Sequence, residues 1–188
     1  PPGGGAFPAT AVLDNFNRAN GPIGAPWETS NGFTVTANQL KTTKNSPNTT
    51  WNGAIFGANQ EAYITIATLD PAAVEHILML KVQGHFWHNG HIEVNYDRAA
   101  GVVRVATFAP SGGWVDRGTV AATFANGDQM GARPRATGVV TMYKNGTARG
   151  TVSVAGWAFA ANTGRIGMAF TNATAGAYDN FGGGDAPA

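Results

Sequence analysis

The sequence predicts an all-β fold in which two antiparallel sheets pack as a sandwich. Short apolar or alternating runs recur along the chain, with Gly, Asn, Asp and Pro between them, and such runs are typical of strands joined by turns. Helical periodicity is almost absent. Hydrophobic residues make up 43% of the 188 residues and charged residues 12%, a composition that argues against disorder and supports one sizeable core.

The candidate strands are the segments that combine this periodicity with flanking turn residues. In chain order they are Glu61 to Leu69, Val74 to Gln83, His91 to Asp97, Val102 to Phe108, Trp114 to Phe124, Val139 to Lys144, Thr147 to Val154 and Arg165 to Phe170. Asn145-Gly146 and Asn89-Gly90 lie between consecutive runs and predict hairpin turns. Many short strands with regular turn signals favour a sandwich or a barrel.

Both ends of the chain are rich in Gly and Pro, which predicts linkers. We assign residues 1–6 and 182–188 to linkers and residues 7–181 to a single β-sandwich domain. Linkers on both sides indicate a module of a larger exported or virion protein, whose other domains are then partners within the same chain.

Composition also limits the function. The chain has no cysteine, so it has no disulfide or thiolate metal site. The net charge is +1 and the basic residues are scattered, which argues against a nucleic-acid partner. No apolar run approaches the ~18 residues of a membrane span. Low charge with abundant Gly, Thr and Asn favours an extracellular, secreted or virion-surface location.

Several stretches together resemble one known family. They are residues 13–21 with Trp27, residues 140–146, residues 165–168 and residues 178–181. Their order and spacing are similar to those of the concanavalin A-like lectin/glucanase superfamily, in its laminin-G-like bacterial and phage branch. The resemblance implies a jelly roll whose first and last strands are adjacent. It does not select a function, because this fold hosts lectins, hydrolases, lyases and adhesion modules.

The resemblance also implies a structural calcium ion, which in such folds often ties the N-terminal segment to the last strand. Asp14 and Asp179 lie in the matching segments. Calcium prefers six to eight oxygen ligands, so backbone carbonyls would have to complete the shell. The alternative is that Asp14 is a turn or cap residue and Asp179 a surface residue.

Side-chain alternation predicts one polar and aromatic sheet face in the middle of the chain. A three-residue turn at 88–90 would place Trp87 opposite His91, His85 opposite Glu93 and Gln83 opposite Asn95. The following turns would pair Asn95 with Arg104, Glu93 with Ala106, His91 with Phe108, Phe108 with Trp114 and Ala106 with Asp116. The resulting face carries Gln83, His85, Trp87, His91, Glu93, Asn95, Arg104, Phe108, Trp114 and Asp116.

This mixture of side chains suits a sugar, because aromatic rings stack on the C–H faces of sugars and polar groups pair with hydroxyls. The face therefore predicts a non-catalytic carbohydrate-binding or adhesion module, with a polysaccharide or cell-surface glycan as partner. An ordinary solvated face, or one covered by loops or by a neighbouring domain, would carry the same pattern.

Catalysis has weaker support in the sequence. The Glu-x-Asp-x-x-Glu strand of the family-16 glucanases is absent, as are the motifs of the alginate-lyase jelly rolls. A hydrolase is still compatible with the predicted face. It would be an inverting glycoside hydrolase that uses Glu93 and Asp116, two strands apart at ~10 Å, which can approach the ~6.5–9.5 Å carboxyl separation such enzymes use. A polysaccharide lyase on the same fold, or a structural spacer that contacts only protein, is also compatible with the sequence.

Overall fold

The structure is a computed structural model, and it describes residues 5–187. Over this part of the chain it contains fourteen strands and one short 3₁₀ helix. The strands are β1 (Val12–Asp14), β2 (Phe33–Thr36), β3 (Gln39–Thr42), β4 (Asn48–Thr50), β5 (Gln60–Thr68), β6 (Glu75–Val82), β7 (His91–Asp97), β8 (Val102–Ala109), β9 (Gly113–Ala121), β10 (Gln129–Pro134), β11 (Val139–Lys144), β12 (Thr147–Ser153), β13 (Arg165–Thr171) and β14 (Ala177–Asp185). The 3₁₀ helix is Trp87–Asn89.

The strands form two antiparallel sheets, which confirms the predicted sandwich. An eight-stranded sheet has the order β12-β11-β10-β5-β14-β3-β2, with β1 paired to β14. A six-stranded sheet has the order β4-β13-β6-β7-β8-β9. All predicted strands are present. No helix of the described residues is long and apolar enough to cross a membrane.

The core lies between the sheets and follows directly from side-chain alternation. In β7, Ile92, Val94 and Tyr96 point inward and are buried. In β5, Ile64 and Ile66 meet them from the larger sheet as part of the same cluster. Each fully buried side chain of this size contributes about 1.5–3 kcal/mol relative to an exposed one, so the alternation sets which face of each sheet is inside.

The C-terminal linker prediction is wrong for residues 182–185. Strand β14 continues to Asp185, and Gly182 pairs with Tyr63 of β5. A Cβ atom on Gly182 would lie 2.1 Å from the Tyr63 ring, so glycine here permits close packing of that ring on the strand. Of the predicted N-terminal linker, residues 1–4 lie outside the described residues.

A buried ion pair holds the N-terminal segment against the outer face of the eight-stranded sheet. Glu61 and Arg133 are at most 1% exposed, with Nη2 of Arg133 2.6 Å from Oε2 of Glu61. The other Glu61 oxygen accepts hydrogen bonds from the backbone N–H groups of Ala9 and Thr10. The guanidinium also lies over the ring of Phe7. Both charges are therefore satisfied, as burial requires.

We expect Arg133→Met to lower the free energy of unfolding by about 3 kcal/mol, because it leaves the Glu61 carboxylate buried without its cation. Arg149→Met, on exposed edge strand β12, is the matched control and should change it by less than about 0.5 kcal/mol. Chemical denaturation monitored by tryptophan fluorescence measures both values. Equal effects of the two substitutions would contradict the role of the ion pair.

Asp14 holds the start of the chain together through protein donors. Its two carboxylate oxygens accept hydrogen bonds from Nη1 and Nη2 of Arg18 at 2.7 and 3.0 Å. Nε1 of Trp27 donates to it at 2.8 Å, and so does the backbone N–H of Phe16. The carboxylate of Asp179 lies near Asp14. Burial raises the pKa of Asp179, and the negative charge of Asp14 raises it further.

These contacts do not fit a calcium ion. A bidentate guanidinium occupies the Asp14 oxygens that calcium would need. Among the described residues, no three His, Asp or Glu side chains are placed to hold a metal ion. Calcium binding at Asp14 would have to displace the Arg18 guanidinium, so the residues described at this site fit an ion pair better than a calcium shell.

We therefore expect EDTA to leave the melting temperature unchanged. Asp14→Asn should lower the free energy of unfolding by about 2 kcal/mol, because an amide cannot pair with the Arg18 guanidinium in this geometry. Asp179→Asn is the control and should be neutral or slightly stabilising, since its raised pKa means that the folded state disfavours the charge. A fall in melting temperature on chelation, with stoichiometric metal in elemental analysis, would restore the calcium hypothesis.

One histidine lies in the core. The His76 ring is 1% exposed and packs against the rings of Tyr96, Phe170 and Tyr178, with centroids 5.6–6.4 Å apart. Burial in these apolar surroundings lowers its pKa from 6.5 to about 4. The folded state therefore requires the neutral imidazole.

This pKa makes stability depend on pH. The pKa of His76 in the folded state lies below its value in the unfolded state. The contribution of the neutral His76 to the free energy of unfolding is therefore complete above pH 6.5 and is lost progressively as the pH falls from 6.5 towards 4. The loss amounts to about 3 kcal/mol. We expect His76→Phe to remove this pH-dependent step from unfolding curves, whereas His88→Gln on an exposed loop should keep it. An unchanged slope in His76→Phe would show that other groups cause the acid sensitivity.

Candidate functional site

The predicted register of β7, β8 and β9 is confirmed. Asn95 pairs with Arg104, Glu93 with Ala106 and His91 with Phe108. Phe108 pairs in turn with Trp114, and Ala106 with Asp116. The outward side chains of these three strands therefore share one face, opposite the buried side chains Ile92, Val94 and Tyr96.

The predicted register of β6 against β7 is wrong. Ile77 lies opposite Asn95, and Met79 lies opposite Glu93, where Gln83 and His85 were expected. Relative to the prediction, β6 is displaced along β7 by an even number of residues. The side chains of β7 that point inward and outward are therefore the ones that were predicted. The outer face of β6 is consequently apolar at these positions, because Ile77 and Met79 are buried there.

Strand β6 ends at Val82 and β7 begins at His91, so the connection is longer than the predicted turn at 88–90. In addition, the alternation of inward and outward side chains reverses at Lys81. Its backbone is left-handed, with φ of 49°, and its ammonium turns inside to donate to the carbonyls of Arg135 and Ala160. Burial lowers the pKa of Lys81 to about 8. Because of this reversal Val82, expected in the core, packs with Ile77 on the outer face, and the alternation that placed Gln83 and His85 no longer applies.

Gln83 and His85 consequently leave the predicted set. The Gln83 amide donates to the carbonyl of Thr163 at 3.0 Å. Nδ1 of His85 lies 2.8 Å from Oε2 of Glu28, in a distant loop. Neither residue lines the pocket described below, so both serve to fix the connection between β6 and β7.

Four aromatic side chains meet at one end of this face, and we call them the aromatic cluster: Trp87, His91, Phe108 and Trp114. The Trp87 and Trp114 rings are nearly parallel, with centroids 6.1 Å apart and an interplanar angle of 18°. Phe108 contacts both, with centroid distances of 5.3 Å. Trp114 is 49% exposed and Trp87 36%, so the two indoles form the open surface of the cluster.

A small pocket of about 150 Å³ adjoins the aromatic cluster. It is lined by Ser46, Pro47, Asn48, Met79, Trp87, His91, Glu93, Trp114, Ala169, Phe170 and Thr171. The residues from β4 and its preceding loop, from β6 and from β13 were missed by sequence reasoning. Strand β13 pairs with both β4 and β6, and contacts between segments so distant in the chain leave no local signal.

Two hydrogen-bond acceptors point into this pocket. Nδ1 of His91 lies 2.9 Å from the backbone carbonyl of Trp87. A carbonyl only accepts, so Nδ1 carries the proton and Nε2 faces Glu93, whose Oε2 is 3.9 Å away. His91 is buried, and the Glu93 side chain is 15% exposed, so the carboxylate that lines the pocket is mostly shielded from solvent.

The remaining polar residues of the predicted face, Asn95, Arg104 and Asp116, do not line the pocket. Nδ2 of Asn95 donates to Oε1 of Glu75 at 3.0 Å. Nη1 of Arg104 lies 2.7 Å from Oδ2 of Asp116, and its Nη2 lies 3.9 Å from Asp97. Asn95 is buried, which leaves Arg104 and Asp116 as an exposed pair farther along the sheet.

The two carboxylates of the hydrolase hypothesis, Glu93 and Asp116, do not line the same pocket. Glu93 lines the pocket, whereas Asp116 does not. The Asp116 side chain is 55% exposed and is held by Arg104. A general acid and a general base must both reach one bond, and these two carboxylates do not face one enclosed space in the described residues.

Comparison with known proteins identifies the fold. No family model matches the chain, and no curated protein sequence matches it either. Among solved structures, it is similar to the carbohydrate-binding module CBM66 from Bacillus subtilis, with a TM-score of 0.58 and 15% identity over 82% of this chain and 91% of that one. It is also similar to the Caenorhabditis elegans galectin LEC-6, with a TM-score of 0.50 and 13% identity over 77% and 93%.

A catalytic protein shows the same likeness. A non-specific endo-β-1,3(4)-glucanase of family GH16 matches with a TM-score of 0.61 and 9% identity, over 95% of each chain. At these identities the likeness extends to the fold and no further. Two antiparallel sheets in this order, matched over most of each chain, confirm the predicted architecture: the chain has the concanavalin A-like jelly-roll fold.

Proposed function

We propose that this chain is a non-catalytic carbohydrate-binding module, and that the aromatic cluster and its adjoining pocket form the binding site. The observation that carries the proposal is the pair of exposed, nearly parallel indoles of Trp87 and Trp114 beside the Glu93 carboxylate. Indole faces stack on the C–H faces of sugar rings, and the carboxylate accepts hydrogen bonds from hydroxyls.

Folding alone does not explain why the rings of Trp87 and Trp114 are exposed. Large aromatic side chains contribute most when buried, and contiguous exposed apolar groups mark interaction sites. Trp114 lies on a regular strand, where its backbone is fixed by pairing with Phe108. It packs against the other rings of the aromatic cluster but remains 49% exposed, so its exposed surface is available to a ligand.

The connection between β6 and β7 holds Trp87 in place before any ligand binds. The hydroxyl of Thr50 donates to the carbonyl of His85 at 2.8 Å, and the His91 imidazole bonds the carbonyl of Trp87. Anchors on both sides of the indole reduce the entropy lost on binding. A preformed platform of this kind favours recognition of an extended glycan.

As a module of a larger secreted or virion-surface protein, the chain would attach that protein to a polysaccharide or a cell-surface glycan. The jelly-roll likeness to a carbohydrate-binding module and a galectin supports this role. The absence of a second carboxylate from the pocket lining of the described residues favours binding over hydrolysis.

Trp87→Ala and Trp114→Ala should each weaken binding to the recognised polysaccharide by about tenfold, the effect of losing one stacked ring. A panel of soluble polysaccharides in affinity electrophoresis, followed by calorimetry, measures this. Phe86→Ala is the matched control, because Phe86 is 48% exposed on the same connection but stacks on His88 outside the cluster. It should leave affinity unchanged.

Two results would overturn the proposal. Binding that survives the double substitution of Trp87 and Trp114 would place the site elsewhere on the surface. Failure to bind any glycan, with the native fold confirmed by circular dichroism, would support a structural spacer that contacts only protein.

A further inference from the structure

We infer that the pocket selects an uncharged sugar residue and rejects a uronate, and that Glu93 determines this specificity. The inference rests on the proposed function, since it concerns the ligand of the same site. It follows from the charge of the pocket, from the direction of its hydrogen-bonding groups and from the way the neighbouring cations are already engaged.

The charge of the pocket is negative. Within the described part of the chain, its lining contains the Glu93 carboxylate and no Lys or Arg. Arg104, on the adjacent strand, is held by Asp116 at 2.7 Å and faces Asp97 at 3.9 Å. Its charge is therefore matched by two carboxylates of its own, and it does not neutralise Glu93.

Besides Glu93 and the donors of Ser46, Asn48 and the two indole N–H groups, the pocket lining offers two further acceptors. His91 donates through Nδ1 to the Trp87 carbonyl, and in the neutral imidazole its Nε2 then presents a lone pair towards Glu93. The hydroxyl of Thr171, which also lines the pocket, donates its proton to Oε2 of Glu75 at 2.7 Å. Its oxygen is left to accept as well.

Acceptors in a pocket require donors on the ligand. A sugar hydroxyl supplies a proton and satisfies Glu93 directly. An ionised sugar carboxylate has only acceptors, so it would face Glu93, Nε2 of His91 and the Thr171 oxygen without a shared proton. Glu75 accepts the hydrogen bond of the Thr171 hydroxyl, so it adds a second negative charge next to the pocket lining.

The size of the effect follows from Coulomb repulsion. Two carboxylates about 5 Å apart near a protein surface repel each other strongly enough to weaken binding by roughly a hundredfold. Screening at physiological salt reduces this. We expect the uronate to bind about ten- to a hundredfold more weakly than the neutral sugar. We expect added salt to reduce this ratio of affinities.

The experiment compares matched pairs of polysaccharides by calorimetry with the intact chain. Each neutral polysaccharide that binds is compared with its derivative oxidised at C6 to the uronate, and each uronate polysaccharide that binds is compared with its carboxyl-reduced form. The neutral member should bind at least about tenfold more tightly. Each pair keeps the same backbone linkages, so the difference reports on the charge.

Glu93→Gln should bring the two members of a pair to within about threefold, because the amide carries no charge and can donate to a carboxylate. Asp179→Asn is the matched control. It removes a carboxylate from β14 of the other sheet, outside the pocket, and it should leave the discrimination as it is in the unmodified chain.

The outcomes separate the inference from the proposed function. If charged and neutral members bind equally and Trp87→Ala weakens the binding of both, the function stands and the inference is wrong. The same holds if discrimination persists in Glu93→Gln. If no polysaccharide binds, the proposed function fails, and the inference fails with it.

Discussion

The candidate site depends on one constraint, the alternation of side chains along three neighbouring strands with a common register. Strands β7 and β8 each send one set of side chains into the core and the other set outward. The inward sets include Val94 and Val105, which are fully buried. Register cannot slip without exposing those residues, so the core fixes His91 and Phe108 on the outer face, and the pairing of β9 with β8 places Trp114 beside Phe108.

The contacts that hold the N-terminal segment and the aromatic cluster lie on different sheets. On the outer face of the eight-stranded sheet, the N-terminal segment is held by the buried pair Glu61 and Arg133. Asp14 joins the first strand to the following loop through Arg18. The described N-terminal segment packs on the sheet opposite the aromatic cluster, so these anchors leave the indoles open to solvent.

Much of the fold and part of the site could be predicted from local patterns. The strands His91–Asp97 and Val139–Lys144 were found with their observed bounds, because each has clear alternation between turn residues. The short strands β1 to β4 were not found, since three or four residues carry too little periodicity to be recognised. The longer strands β10 and β14 were also absent from the candidate strands. Of the predicted binding residues, Trp87, His91, Glu93 and Trp114 line the pocket, with Phe108 packed behind them.

The sequence by itself determined the fold class, the inward and outward faces of β7 to β9, and the aromatic side chains on the outer face. It could do so because alternation and short turns are local. Only the tertiary structure decided where β6 stops, since that depends on Lys81 reaching the carbonyls of Arg135 and Ala160 far along the chain. It likewise decided that Gly182 lies in a strand, because the need for glycine there comes from the ring of Tyr63 on the neighbouring strand.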